Sequence, residues 1–378
     1  MKPEKFHPLK NTLVVSLEQA ASAPLASCRL ADAGARVIKV ERPTGDFARQ
    51  YDEVVSGEST YFTWLNRGKE SVRINIKTEK GRELLLNIIS KADVFIQNLA
   101  PGALSKLNLD SETLRKEYPQ LITCDISGYS NEGRYSDRKA YDNLVQAESG
   151  LIDVTGTAEN RAKVGVSIAD ISTGMHAYAS ILEALIQRRD TGQGVSIKIS
   201  MFDCMADWMM VPWLHQKYGK KSPERTGSHH ATIAPYGPFI TKLGREVMIA
   251  IQNEREWKRF CEELLDHEIR PDDPRFSRNS LRVKNRDELN RIIQRKFKKM
   301  SYNEVLRRLE EYKIAFSNVN SMSEFENHPE LRLTRVQSEN GEVEMADRPA
   351  KFIGYKTEFG PIPALGKHDE LIKKEFEQ

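Results

Sequence analysis

The chain has 378 residues, more than one hydrophobic core usually holds, because single cores stop growing at about 250 to 300 residues. Its 57 Lys and Arg and 54 Asp and Glu leave a net charge of +3 without a dense basic stripe, which argues against a nucleic-acid-binding protein. Four widely spaced cysteines, no signal-peptide core and no apolar run of about 18 residues argue against a zinc site, a disulfide framework and a membrane span, so we expect a cytoplasmic protein.

Strand-like and helix-like segments alternate in the first 200 residues. Apolar and β-branched runs predict strands at 13–16, 35–41, 72–76, 93–97, 121–126 and 195–200. Apolar residues at helical spacing predict helices at 23–33, 78–91, 110–117 and 170–189. Because repeated units of strand, helix and strand form mostly parallel sheets with helices on both faces, the sequence predicts an α/β fold with a Rossmann-like large domain.

The rest of the chain predicts a second, smaller α+β domain. It is more charged and contains a hairpin-like segment at 238–250 and an amphipathic helix at 303–313. The predicted organisation is a large domain at 1–200, a linker at 201–230, the small domain at 231–322, and a return linker with a C-terminal segment of the large domain at 323–378.

Several common active sites are disfavoured by their missing motifs. Glu41 ends the second strand, where a ribose-binding carboxylate would lie, but the first strand-to-helix turn at 18–24 (EQAASAP) has none of the glycines that admit a pyrophosphate. No G-x-S-x-G elbow, P-loop or H-E-x-x-H is present. Nucleotide-dependent redox chemistry and serine or zinc hydrolysis are therefore not expected.

Six segments, in order along nearly the whole chain, resemble the class III CoA-transferases, the CaiB/BaiF family. They are the opening stretch and residues 34–43 (GARVIKVERP), 66–69 (NRGK), 92–102 (ADVFIQNLAPG), 126–129 (ISGY) and 141–151 (YDNLVQAESGL). The resemblance implies an enzyme that uses coenzyme A and acyl-CoA as substrates, without a metal, and transfers CoA to a small carboxylic acid. It also implies an intertwined homodimer, for which the long segments near 200–230 and 323–345 are suitable connectors.

By the same resemblance, Asp170 is the nucleophile, which forms an anhydride with the acyl group and then a thioester with CoA. The chemistry is reasonable because a carboxylate of ordinary pKa is ionised at pH 7 and needs no general base. Asp170 is expected at a junction between a strand and a helix, where Gly174 would admit substrate and free N–H groups would stabilise an oxyanion. The structural alternative is that Asp170, Ser172 and Thr173 only cap the helix.

The resemblance also assigns residues to the CoA site. In order along the ligand from the thioester and arm to the adenine and phosphates, they are Gln19, Ala20, Asn98, Leu99, Arg42, Lys69, Lys106 and Lys139. Family members often have Arg where this chain has Lys106, so a point charge replaces a bidentate fork there. On the simpler interpretation, Lys106 and Lys139 are solvated surface charges.

The same fold also includes α-methylacyl-CoA racemases, which use a histidine in a Gly-His-Asp context. The matching stretch here, 139–142, has Tyr141 in the place of that histidine, and a tyrosine of pKa near ~10 is a poor base at neutral pH. His176 is a possible substitute, although a single helical histidine is usually packed or exposed. A CoA-binding protein without catalysis is a further alternative, which the presence of Asp170 disfavours.

The acceptor acid is predicted from the loop at 225–230. Its Arg225, His229 and His230 favour a dicarboxylate, with succinyl-CoA as donor, and Tyr141 is a further candidate contact. A metal site at the two histidines lacks a third ligand at recognisable spacing. Gln146 and Glu148 could also face the acceptor, although a buried polar residue satisfied by backbone is the simpler interpretation.

Overall fold

The computed structural model describes residues 4–377. Its strands are β1 (Glu4–Lys5), β2 (Leu13–Leu17), β3 (Arg36–Glu41), β4 (Lys69–Arg73), β5 (Val94–Gln97), β6 (Ile122–Ser127), β7 (Ser196–Ser200), β8 (Tyr236–Ile240), β9 (Glu246–Ala250), β10 (Ala315–Asn318), β11 (Leu333–Ser338), β12 (Gly341–Ala346) and β13 (Tyr355–Lys356). Its α-helices are α1 (Ser22–Asp32), α2 (Thr60–Leu65), α3 (Glu79–Ile89), α4 (Ser111–Glu117), α5 (Asp142–Glu148), α6 (Leu151–Val154), α7 (Ile168–Thr191), α8 (Met201–Trp208), α9 (Met210–Gly219), α10 (Glu254–Arg259), α11 (Asn279–Lys284), α12 (Arg286–Phe297), α13 (Tyr302–Glu311), α14 (Met322–Glu326) and α15 (Asp369–Phe376). Short 3-10 helices lie at Phe47–Gln50 and Ser105–Leu107, and a π-helical turn at Phe260–Leu264.

A six-stranded sheet with the order β4-β3-β2-β5-β6-β7 is the centre of the large unit, and all its neighbouring strands are parallel. The predicted α/β class with a mostly parallel sheet is therefore confirmed. Side chains of β2 alternate between its faces: Val15 packs in a core with α3, α4 and α15, and Val14 packs in a core with α1 and α7. Burial on both faces explains why β2 is almost continuously apolar.

The chain divides into two compact units. The large unit contains the described residues as far as Ser149, then Val164–Met210, and the chain from Arg332 onwards. The small unit contains Gly150–Lys163 and Val211–Leu331. The sequence prediction placed Gly150–Lys163 in the large domain and 201–230 in a linker. The structure instead assigns Gly150–Lys163 and most of that linker to the small unit.

The small unit is built on an antiparallel sheet with the order β10-β9-β8. The hairpin predicted at 238–250 is present as β8 and β9. Buried aromatic side chains fill its core, among them Trp257, Phe260, Phe276 and Phe297.

Two local predictions are wrong. The predicted linker at 201–230 begins with α8 and α9; α8 has a side-chain cap from Ser200 and buries Met201, Cys204 and Met205. No strand leads into α7, since residues 155–167 contain only an isolated bridge between Gly156 and Arg161. None of the helices described over residues 4–377 is both long and apolar enough to cross a membrane.

Candidate active site

Asp170 lies in the first turn of α7, which begins at Ile168, and is only partly exposed. The residue before the helix is Ser167, whose hydroxyl lies 2.5 Å from the Tyr61 hydroxyl and does not cap α7. Thr173 donates its hydroxyl to the Ala169 carbonyl oxygen at 2.7 Å, within the helix. Asp170 and Thr173 are therefore not the N-terminal cap of this helix, and the structural alternative for Asp170 is wrong.

The N-terminus of α7 is instead capped by Asp142, from the start of α5. One Asp142 oxygen, Oδ1, accepts the N–H groups of Ala169 at 2.8 Å and Asp170 at 3.2 Å. The other, Oδ2, accepts the side-chain amide of Gln146 at 2.6 Å, and Gln146 Oε1 accepts the Val164 N–H at 3.0 Å. Two N–H groups that we expected to stabilise an oxyanion are thus occupied, and Gln146 is a satisfied buried residue. Sequence reasoning missed Asp142. Its spacing of four residues from Gln146, which puts both on one helix face, was the signal that could have identified this pair.

The electrostatic surroundings of Asp170 make its carboxyl group harder to ionise. Burial and then the charge of Asp142 raise the pKa of Asp170 to about 7, while hydrogen bonds from the hydroxyl and backbone of Ser22 act in the opposite direction. The expectation of a carboxylate with an ordinary pKa is therefore wrong for Asp170.

Ser22 reaches Asp170 because α1 and α7 pack closely at Gly174. A Cβ atom at Gly174 would lie 2.7 Å from the Ser22 carbonyl oxygen and 2.8 Å from the Leu25 Cβ. The expectation that Gly174 admits substrate is wrong, because this glycine is occupied by the contact with α1. Its missing side chain brings the start of α1, which has no side-chain cap of its own, to the nucleophile.

Tyrosines stand beside the carboxyl group. The Tyr51 ring meets the Tyr61 ring edge to face, with 5.7 Å between centroids. Burial raises the pKa of Tyr51 to about 12, with further contributions from the charges of Asp46 and Asp170 and from Tyr141. Tyr51 is therefore a hydroxyl donor at neutral pH. Tyr141, the residue before α5, is 62 % exposed and so is open to a ligand.

The Gln19–Ala20 loop follows β2 and is fixed by two side chains. Asn98 donates its amide to the Gln19 carbonyl oxygen at 2.8 Å and accepts the Gln19 N–H at 2.9 Å. Asp46 accepts the Ala20 N–H at 3.2 Å, and Ala20 has the left-handed φ of 65°. Asn98 therefore uses its amide to position the loop, and a conformation that is costly for alanine is maintained by its surroundings.

A fully buried charge cluster lies behind this loop. Lys69 donates to Glu18 at 2.7 Å, to the Pro24 carbonyl oxygen at 3.0 Å and to Asn66 at 3.0 Å. Burial lowers the pKa of Lys69, and for Glu18 the nearby lysines outweigh burial and lower the pKa. Because all three ammonium hydrogens have acceptors inside the protein, the predicted contact of Lys69 with CoA phosphates is wrong.

The other residues predicted for CoA lie nearer the surface. Arg42, after β3, is exposed; it donates to the Gly45 carbonyl oxygen at 2.7 Å and lies 5.9 Å from the Phe47 ring centre. Lys106 and Lys139 are exposed, and Leu99 is partly buried against the sheet core. Gln19, Arg42 and Asn98 thus follow neighbouring parallel strands, at the sheet edge where ligands bind in open α/β folds.

The histidines of the small unit are packed on aromatic rings. His229 meets Phe239 edge to face at 5.6 Å, and His230 stacks on Tyr236 at 5.1 Å. Burial and then the charge of Arg286 lower the pKa of both histidines, so both are neutral at pH 7. A groove of about 620 Å³ beside them is lined by His229, Pro238, Phe239, Asn290, Arg291, Gln294, Arg295, Lys298 and Lys299.

Two other candidates have structural roles. Arg225 donates to the carbonyl oxygens of Asp153, Thr157 and Ala158 at 2.8 to 3.0 Å, so its predicted role as a cation for the acceptor does not fit. His176 bonds the Ser172 carbonyl oxygen at 2.9 Å within α7. Over the described part of the chain, no three His, Cys, Asp or Glu side chains cluster in a way that could hold a metal ion.

Comparisons with known proteins identify the family of this chain and agree with its fold. A family model, "CoA-transferase family III", matches residues 9–369. The chain is 32% identical to the human succinyl-CoA:glutarate CoA-transferase over 97% of its own length and 86% of the relative, and 31% identical to the acetyl-CoA:oxalate CoA-transferase of Acetobacter aceti over 98% and 96%. A solved structure of a CAIB/BAIF family protein from Brucella suis has a TM-score of 0.83 and 32% identity, covering 98% of this chain and 100% of that one. The chain therefore belongs to CoA-transferase family III and is an enzyme of this class.

Proposed function

We propose that this enzyme is a cytoplasmic, homodimeric transferase that moves CoA from succinyl-CoA or a similar donor to a small dicarboxylic acid, with Asp170 as the nucleophile. The observation that carries the proposal is the partly buried carboxyl group of Asp170, held between the starts of α1, α5 and α7. A carboxyl group that only caps a helix would accept that helix's own N–H groups, and on α7 Asp142 does this instead.

The proposed reaction proceeds in four balanced steps. An Asp170 oxygen attacks the donor thioester, the C–S bond breaks, and a mixed anhydride and CoA thiolate result. The thiolate attacks the Asp170 carbonyl carbon, which releases the donor acid and leaves an aspartyl-CoA thioester. The acceptor carboxylate attacks this thioester and again gives an anhydride and thiolate. The thiolate then attacks the acceptor's acyl carbon, which forms the new acyl-CoA and restores Asp170.

For CoA, the proposed site uses the carboxyl edge of the parallel sheet. Gln19 and Ala20 take the thioester end, with Asn98 positioning their loop. Arg42, with its guanidinium near an aromatic ring, takes the adenine and phosphates. Leu99 lines the arm, and the exposed ammonium groups of Lys106 and Lys139 contact phosphates. The buried Lys69 supports this site from inside and does not bind the ligand.

The acceptor is proposed to be a dicarboxylate because similar enzymes are named for such acids. Their names include glutarate, mesaconate and oxalate, with succinyl-CoA or acetyl-CoA as donor. Tyr51 and Tyr141 supply hydroxyl donors near Asp170 in the large unit. His229 and His230 of the small unit stay acceptor contacts predicted from the sequence, and neutral imidazoles can donate one hydrogen bond each to a carboxylate.

The test is a panel of acids with succinyl-CoA and acetyl-CoA, run in deuterated water and read by mass spectrometry. Transfer predicts new CoA esters of glutarate, mesaconate or another dicarboxylate, without deuterium at the α-carbon. Deuterium in recovered acyl-CoA without exchange of acids would instead identify a racemase. CoA binding without either reaction would identify a binding protein.

A further inference from the structure

A second carboxylate, that of Asp142 on α5, lies at the start of α7, and the proposed reaction steps do not use it. Asp142 accepts the backbone N–H groups of Ala169 and of Asp170 itself. It therefore fixes the backbone from which the nucleophilic side chain extends. Ser167, the residue in the usual capping position, bonds Tyr61 instead.

The Asp142 side chain is itself held in one orientation. Its second oxygen accepts the Gln146 amide at 2.6 Å, and Gln146 is completely buried and anchored to the Val164 N–H at 3.0 Å. This chain of hydrogen bonds joins α5, the segment before α7 and the first turn of α7. A cap for stability alone is commonly supplied by the residue preceding the helix, and here a residue 27 and 28 positions from the two N–H groups supplies it.

We propose that Asp142 is the positioning residue for Asp170, holding the first turn of α7 with one oxygen and placing a second negative charge beside the nucleophile. The catalytic importance of this role rests on the proposed function of Asp170 as the nucleophile. The geometry on which it depends, however, can be tested in the protein without substrate.

The other acidic side chains of α5 and α8 have polar partners of their own, and after burial it is the charge of Asp142 that raises the pKa of Asp170. On α5, Glu148 pairs with Arg138 at 2.7 Å. On α8, Asp207 lies 3.6 Å from His176, and Asp203 accepts the Ser200 hydroxyl at 2.6 Å.

Tyrosines also lie near the turn, and α1 presents Ser22. Tyr51 and Tyr141 lie in the same surroundings, and Tyr61 bonds Ser167. The pKa of Asp170, about 7, is raised first by burial and second by Asp142. Removing the Asp142 charge is therefore expected to make Asp170 easier to ionise.

Two substitutions separate the hydrogen bonds from the charge. Asp142→Asn keeps a carbonyl oxygen for the two N–H groups but removes the charge and the acceptor of the Gln146 amide, whereas Asp142→Ala removes both oxygens. Glu183→Gln is the matched control, since it removes one negative charge from an exposed position on α7, far from its first turn. The titration of the Asp170 carboxyl is followed by carbon-13 NMR of labelled aspartate, with Asp170→Asn for assignment, and backbone protection by hydrogen exchange of peptides covering 168–172.

The expected result is a lower titration midpoint for Asp170 in Asp142→Asn, by roughly half a pH unit or more, with unchanged exchange. In Asp142→Ala, exchange in the first turn of α7 becomes faster and kcat falls, and the control behaves as the wild type. The acid limb of kcat/KM moves to lower pH in Asp142→Asn, which a purely structural role would not produce. A wild-type midpoint and wild-type exchange in both variants would overturn the role of Asp142. Absence of CoA transfer by the wild-type enzyme would overturn the proposed function alone, and if Asp142→Ala does not fold, Asp142→Asn decides.

Discussion

At the scale of single residues, burial decides what each charged group can do. Lys69 and Arg42 both lie in segments that resemble the family, but Lys69 is surrounded by acceptors of its own chain and Arg42 is exposed. Asp170 is intermediate between the buried Lys69 and the exposed Arg42. Burial raises its pKa, and the side chain is still partly exposed at the start of α7. A sequence names these side chains but does not give their depth in the fold.

The pKa of Asp170 predicts the pH dependence of the reaction. Only the ionised carboxyl group attacks a thioester, and burial and the charge of Asp142 raise its pKa to about 7. We expect kcat/KM to fall tenfold per pH unit below about 7 and to be constant above it, until another group titrates. The measurement is a pH profile with a saturating acceptor. A profile that stays flat down to pH 5 would show that Asp170 is ionised throughout or does not attack.

Substitution of Lys69 is predicted to reduce stability, whereas substitution of Lys106 is predicted to weaken the binding of acyl-CoA. Lys69→Met leaves Glu18 buried without its nearest charged partner, so we expect a loss of about 3 kcal/mol or more in the free energy of unfolding. Lys106→Ala removes an exposed charge and is expected to raise KM for acyl-CoA a few-fold at unchanged Tm. Denaturant unfolding and steady-state kinetics of both variants check this. A stable Lys69→Met protein with a raised KM for acyl-CoA would restore Lys69 to the ligand site.

At the scale of helices and strands, the parallel sheet was predictable and the surroundings of Asp170 were not. Strands such as β2 and β5 are continuous apolar runs between helical patterns, which local sequence displays directly. The cap from Asp142 and the contact at Gly174 join segments far apart in sequence, and local patterns do not encode such pairs. The strand expected before α7 is absent, because a short apolar run does not by itself supply a neighbouring strand to pair with.

The contact of α1 with α7 gives a prediction for Gly174. Gly174→Ala places a Cβ atom against the Ser22 carbonyl oxygen and Leu25, so the two helices must move apart. We expect about 1 to 3 kcal/mol of destabilisation and a lower kcat, despite the better helix propensity of alanine. Met175→Ala, at the exposed neighbouring position, is the control for unfolding and kinetics. Full activity and unchanged stability in Gly174→Ala would show that the close packing of α1 against α7 at this position is not needed.

At the scale of the whole molecule, the single chain exposes large apolar side chains on α8 and α9. Trp208 is 47 % exposed, Trp213 50 % and Val211 60 %. Where exposed apolar side chains lie together, they often mark a surface that a partner covers. This agrees with the homodimer expected for the family, in which a second copy of the chain would cover them.

Analytical ultracentrifugation is expected to find one species of twice the 43.1 kDa chain mass, at every concentration down to the nanomolar range. Trp208→Lys with Trp213→Lys should lower the dimer fraction or the yield of folded protein, because a charge would be buried in the interface. The control replaces the exposed Leu243 by Lys. A monomeric wild-type enzyme with full activity would contradict the homodimer.

The central claim, that Asp170 carries the acyl group and then CoA, is tested most directly by trapping the intermediate. The enzyme is incubated with succinyl-CoA, treated with hydroxylamine or borohydride, digested and sequenced by mass spectrometry, with Asp170→Asn as the control. Modification of Asp170 alone, dependent on acyl-CoA and absent from the control, is the predicted result. Turnover of acyl-CoA by the wild type without modification of Asp170, or by the Asp170→Asn enzyme at a comparable rate, would contradict it.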